Sequence, residues 1–211
     1  MPALMQLKRP LSETVLFSPL APKAVTPRFV TQFDGILDQY LSAFHGPSWR
    51  TMCHQSAKVA AKALNAVPVK HGASLCRVEM AVMMKNAQGF VHIGDPDDER
   101  IDGKVPMHFV VRIGDAAYDP TFWQLRFVKT PLDLPQKPFF FAPNVWGADA
   151  PEDSRGFRWS AVDRPTGTLL VGYKLQPAPL PLDVSQPFMP DDVADKHARQ
   201  LHALWASVPG H

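Results

Sequence analysis

The chain is short of cysteine, of net charge and of long apolar runs, and each shortage excludes something. Two cysteines, Cys53 and Cys76, are too few for a disulfide scaffold, so a hydrophobic core must hold the fold together. A formal net charge of +2, with no basic stripe interleaved with aromatics, leaves no electrostatic footprint for nucleic acid. The apolar runs fall far short of the ~20 residues that a membrane span requires. The first residues carry Lys8 and Arg9 but no long apolar core after them, which does not read as a Sec signal peptide. No internal repeat is present.

Proline, in contrast, is abundant: 22 residues in 211, about double the usual share. The prolines cluster in 2–27, 131–151 and 177–190. That pattern suggests irregular segments wrapped on a compact centre rather than a second domain. The length suits one full-sized core. The expected organisation is an extended or loosely ordered segment over 1–25, then a single domain over 26–211 that ends in a helix.

Thr26-Pro27 is a helix start, with a capping hydroxyl and proline at the first helical position. From there Phe29, Val30, Phe33, Ile36, Leu37, Tyr40, Leu41 and Phe44 recur at helical spacing until Gly46-Pro47. A second helix, capped by Ser48 or Thr51, runs to about Ala66. Its many alanines suit a central, closely packed position. The period then changes to two. Strands are expected over 75–84, 90–93, 107–113, 117–119, 125–128, 157–162 and 169–175, with a Pro-rich loop over 131–151 holding Phe139, Phe140, Phe141 and Trp146. Residues 191–208 form a last helix with Val193, His197, Leu201, Leu204 and Trp205 as its stripe. Helices first and antiparallel strands after them indicate an α+β fold.

The chemistry rests on Cys53, His108 and Asp119. Cys53 lies in the first turn of an Ala-rich helix, where unpaired N–H groups and the helix dipole favour a thiolate. His108 begins an apolar strand, and Asp119 sits on the next strand across the Gly114-Asp115 turn. Side by side, a carboxylate there can accept the imidazole N–H and set its tautomer. His92, on a strand-like stretch of its own, competes with His108, and Asp119 has a second reading as a turn former before proline. Cys53, His54, His71, Cys76 and His92 lack paired zinc-ligand spacing, so no metal or other cofactor is expected. The acids Asp95, Asp97, Asp98, Glu99 and Asp102 lack the alternation of a calcium loop and suit a solvated loop.

The order Cys, His, Asp on helix, strand and strand resembles the transglutaminase-like branch of the papain-like cysteine enzymes. The stretch from His108 through Phe-Val-Val-Arg-Ile-Gly-Asp-Ala-Ala-Tyr to Asp119-Pro-Thr is similar to the second half of that pattern. The resemblance spans about 48–125. It implies a papain-like, transglutaminase-type domain with Cys53 as nucleophile, His108 as base and Asp119 as orienter. It further implies amide chemistry through a thioester on a protein or peptide substrate. Peptide or isopeptide hydrolysis and glutamine deamidation come first, transglutamination second, and a non-catalytic binding or adaptor protein on the same fold stays open. The location expected is cytoplasmic, or export by a non-Sec route as a secretion-system effector. No glutamine stands shortly before Cys53, the nearest being Gln39. That leaves Trp49 or Gln55 as oxyanion donors, with Trp123 a candidate shield over the His–Asp pair.

Overall fold

The computed structural model describes residues 16–17, 27–66, 72–84, 91–94, 107–113, 116–122, 139–141, 152–162, 167–176 and 189–207. In chain order these form β1 (Leu16–Phe17), α1 (Pro27–His45), a short 3₁₀ segment (Gly46–Thr51), α2 (Cys53–Ala66), β2 (Ala73–Met84), β3 (Val91–Ile93), β4 (His108–Ile113), β5 (Ala116–Asp119), β6 (Phe139–Phe141), β7 (Arg158–Val162), β8 (Leu169–Leu175) and α3 (Asp191–Ala206). The fold is α+β, with the helices against one face of a curled sheet ordered β1-β6-β5-β4-β2-β8-β7. All pairings are antiparallel except β1 with β6. Of the N-terminal segment only Leu16–Phe17 is described, and it is extended.

The long strand β2 is the spine. Its first half pairs with β4, from Ala73↔Ile113 to Val78↔His108. Its second half pairs on the same edge with β3, from Met80↔Ile93 to Val82↔Val91. Between the two partners the chain leaves at Gly94 and re-enters at Met107, the residue before His108, which pairs with Val78. Gly94 has φ +88, and a Cβ there would lie 2.5 Å from the Val78 carbonyl oxygen. Only glycine fits this gap, which adjoins the start of β4.

Strand alternation divides the core into two. Ala73, Phe109, Val111, Ile113, Ala116 and Tyr118 face the helices. Val78, Met80, Val82, Val110, Ala117, Leu169, Val171 and Tyr173 line the other face together with Phe122. α2 can lie close to its neighbours because its buried surface is mostly small: Cys53, Ser56, Ala57, Val59, Ala60, Ala61, Ala63 and Leu64. Lys58 and Lys62 tie it to the start of α3. Lys62 Nζ is 2.7 Å from Asp195, and both lysines are 3.2 Å from Asp191.

The structure corrects three local expectations. Neither Ser48 nor Thr51 stands at the cap position of α2. Ser48 Oγ donates to the His45 carbonyl, and the first α-helical bond runs from Ser56 N–H to Met52 O, so Met52 precedes the helix. Residues 139–141 pair with β5 instead of looping, as three β-favouring phenylalanines outweigh their Pro-rich flanks. The buried stripe of α3 is Ala194, Ala198, Leu201 and Trp205, while Val193 is exposed. Alanines face α2 because close helix packing selects small residues over greasier ones. The expected strand 125–128, the turns 85–90 and 114–115, and most of the Pro-rich segments lie outside the described residues.

Gly94→Ala is expected to lower stability by about 1–3 kcal/mol, since neither the backbone oxygen nor the positive φ can accommodate a methyl group. Urea unfolding monitored by circular dichroism checks this; a midpoint equal to the native one counts against the close approach.

Candidate active site

Asp119 is the anchor of the site. It is fully buried at the end of β5. Continuing the Val111↔Tyr118 register puts Asp119 opposite Val110, diagonal to His108 on the same face. Such diagonals lie ~7–8 Å apart at the backbone, within reach of an imidazole. His108 Nε2 indeed sits 2.6 Å from Asp119 Oδ2, and both side chains are inaccessible to solvent.

The remaining lone pairs of Asp119 are also used. The Tyr173 hydroxyl donates to Oδ2 at 3.0 Å. The Thr121 backbone N–H donates to Oδ1 at 3.0 Å, with the Thr121 hydroxyl at 3.4 Å. Asp119 is therefore both a turn former, in an Asx turn over Asp-Pro-Thr, and the partner of His108. The two roles divide between its two oxygens. Tyr173 lies on β8, three strand steps from β5, which is ~14 Å across a flat sheet. A phenol spans that distance only because the sheet curls.

With Nε2 held by Asp119, the sulfur of Cys53 makes a further side-chain hydrogen bond with the His108 imidazole. Cys53 is the first residue of α2, 7% exposed, and its Sγ also lies 3.5 Å from the Met107 carbonyl oxygen. Burial opposes charge on His108. The field and hydrogen bond of Asp119, then those of Cys53, outweigh burial and raise its pKa to about 10. Burial, reinforced by Asp119, pushes the Tyr173 phenol well above its ordinary value, so it remains a donor.

The rival histidines are disposed of differently. His92 sits on β3, 2.7 Å from Glu79, a second histidine–carboxylate pair with no thiol against it among the described residues. His54, next to Cys53, packs edge-on against Phe109 with ring centroids 4.9 Å apart. Burial, then Lys58, lowers its pKa to about 4, so it stays neutral at pH 7.

The oxyanion candidates separate too. Trp49 is 1% exposed, and its indole N–H is held by Asp38 and Ser42 of α1, each at 3.1 Å. It fastens the 3₁₀ segment to α1, and that N–H is not available to a substrate. Gln55 lies in the first turn of α2, and its buried Oε1 has no hydrogen-bond partner among the described residues. The N–H of Cys53 points out of the same turn without an intrahelical acceptor. Trp123 lies outside the described residues. Tyr173 and Thr121 are the site residues that sequence reasoning missed. Thr121 was legible, since Asp-Pro-Thr is an Asx-turn signal. Tyr173 was not, being 54 residues from Asp119.

Cys53 and Cys76 are both free thiols. Among the described residues no three His, Cys, Asp or Glu side chains converge as for a metal ion, and no helix is long and apolar enough to cross a membrane. Neither a protein-family model, nor a curated protein, nor a solved structure matches the chain.

A histidine held protonated up to about pH 10 in the folded chain, against 6.5 ordinarily, stabilises the fold fully below about pH 6.5. That contribution fades as pH rises towards 10. The stability gap between the native chain and His108→Gln should therefore be largest near pH 6 and shrink steadily by about pH 9.5 in urea titrations. A gap independent of pH would contradict the assigned proton.

Proposed function

We propose that the protein is a cysteine-dependent enzyme of papain-like, transglutaminase type acting on amides. The observation that carries this reading is the chain of contacts Cys53–His108–Asp119, with Asp119 held by Tyr173 and Thr121. A histidine protonated at neutral pH is the counter-charge that a thiolate requires. Asp119 fixes the imidazole by accepting from Nε2, which aims Nδ1 at the sulfur.

The step follows from these positions. Cys53 Sγ attacks the carbonyl carbon of an amide, and the oxyanion that forms is held by the Cys53 N–H at the start of α2 and by Gln55 through its NH₂ group. His108 passes its proton from Nδ1 to the leaving nitrogen. The C–N bond breaks, an amine or ammonia departs, and a thioester remains on Cys53. His108 then takes a proton from water, whose oxygen attacks the thioester; the acid leaves, Cys53 Sγ departs as the thiolate and His108 is again protonated. A primary amine in place of water gives transfer. Hydrolysis of a peptide or isopeptide bond, or deamidation of glutamine, is the principal reading, with transfer next. The matching location is the cytoplasm or a non-Sec export route as an effector.

A second reading draws on burial. With Cys53 7% exposed and His108 sealed, the same constellation also suits a non-catalytic domain whose polar triad specifies the core. The two readings differ in access to the sulfur.

Iodoacetamide at neutral pH separates them, with Cys76 as an internal reference whose thiol is pushed up by burial. The enzyme reading expects Cys53 to be alkylated at least about tenfold faster than Cys76, and that advantage to vanish in His108→Ala. Equal, slow labelling of both cysteines supports the non-catalytic reading. Cys53→Ala should abolish the fast phase while lowering stability by only about 1 kcal/mol.

A further inference from the structure

On the strand beside His108 lies a guanidinium, that of Arg77, two of whose nitrogens have no hydrogen-bond partner among the described residues. Arg77 sits on β2 directly opposite Phe109 of β4, one residue before the Val78↔His108 pair. By strand alternation it shares the helix-facing side with Leu75 and Phe109. Phe109 carries the ring of His54, the neighbour of Cys53 on α2. Phe109 thus lies between Arg77, its partner across the strands, and His54 in the first turn of α2.

The Arg77 side chain is half-buried, and its Nε and Nη2 atoms are buried without a hydrogen-bond partner among the described residues. The carboxylate next along the strand, Glu79, does not serve it. Glu79 is already held by His92 at 2.7 Å, by Gln176 at 2.7 Å and by Lys174 at 3.0 Å. Burial weakens the hold of Arg77 on its proton, only partly offset by the field of Glu79. A half-buried guanidinium with two idle nitrogens, Nε and Nη2, is costly in isolation, and a carboxylate is the group whose geometry it matches, by two parallel N–H···O bonds.

We infer that Arg77 is a specificity residue that binds a carboxylate of the substrate beside the scissile amide, so that the preferred substrates are acidic peptides. This rests on the proposed thiol chemistry and adds a substrate class to it. The carboxylate is either an acidic side chain or a chain terminus, and the same contact serves both.

Three probes of nearly equal shape test this on the full chain: N-chloroacetyl-glutamic acid α-amide, N-chloroacetyl-glutamine with a free terminal carboxylate, and the neutral N-chloroacetyl-glutamine amide. The readout is the rate at which each alkylates Cys53, followed by peptide mass spectrometry with Cys76 as reference. One acidic probe is expected to label Cys53 about tenfold faster than the neutral probe, and its identity names the source of the carboxylate. Arg77→Met should erase that advantage, so that the acidic probe labels Cys53 no faster than the neutral probe on the same variant. Arg77→Lys should retain only part of it, because the fork is lost and the charge kept. Equal rates for all three probes on the native chain overturn the inference and leave the nucleophile standing. If no probe and no iodoacetamide labels Cys53 ahead of Cys76, the nucleophile reading falls and this inference with it. The comparison of probes on the native chain decides even if a variant does not fold.

Discussion

A carboxylate sealed from water is tolerable only when its oxygens are occupied, and in this fold Asp119 sets that condition. Meeting it takes contributions from separate parts of the chain. The β4–β5 register brings His108 to Oδ2, the turn after β5 brings the Thr121 N–H to Oδ1, and the curl of the sheet carries Tyr173 across from β8. A one-residue slip of β5 would send Asp119 to the helix side and break all three contacts together. The curl, the register and the turn are thus coupled through one side chain.

His108 inherits its state from that arrangement. Burial alone would strip its proton, yet the adjacent Asp119 and then the Cys53 sulfur reverse the balance. The contrast with His54 is direct: it is one residue from Cys53 and half-buried, but has Lys58 rather than a carboxylate as its main charged neighbour, and its pKa moves the opposite way. His92 has a carboxylate partner in Glu79, but that carboxylate is shared with Lys174 and Gln176. Three histidines in one domain thus occupy three electrostatic settings, and only one meets a sulfur among the described residues.

The helices supply position rather than chemistry. α2 brings Cys53 to the rim of the sheet because its alanine surface allows close seating and because Trp49, bonded to Asp38 and Ser42, fastens the preceding turn to α1. Lys58 and Lys62, tied to Asp191 and Asp195 of α3, hold the other flank. Each is an ordinary contact, yet together they leave the sulfur little freedom relative to the imidazole.

Local signals determined a good deal of this protein. The 3.6-residue period of 29–44, the Ala-rich run after Cys53, the alternation through 75–84 and 107–113, and the short His-to-Asp spacing across a turn were enough for an α+β fold and for the pairing of His108 with Asp119. They sufficed because helices and hairpins are built from contacts a few residues apart. Tertiary structure alone decided the rest. The bond of Tyr173 to Asp119, the engagement of the Trp49 N–H by α1, the shift of the α3 stripe to Ala194 and Ala198, and the commitment of Glu79 to His92, Gln176 and Lys174 rather than to Arg77 each depend on which distant segments meet. No periodicity encodes such meetings. They arise when the sheet curls and the helices settle on it, and a side chain's partners are then chosen by distance in space rather than along the chain.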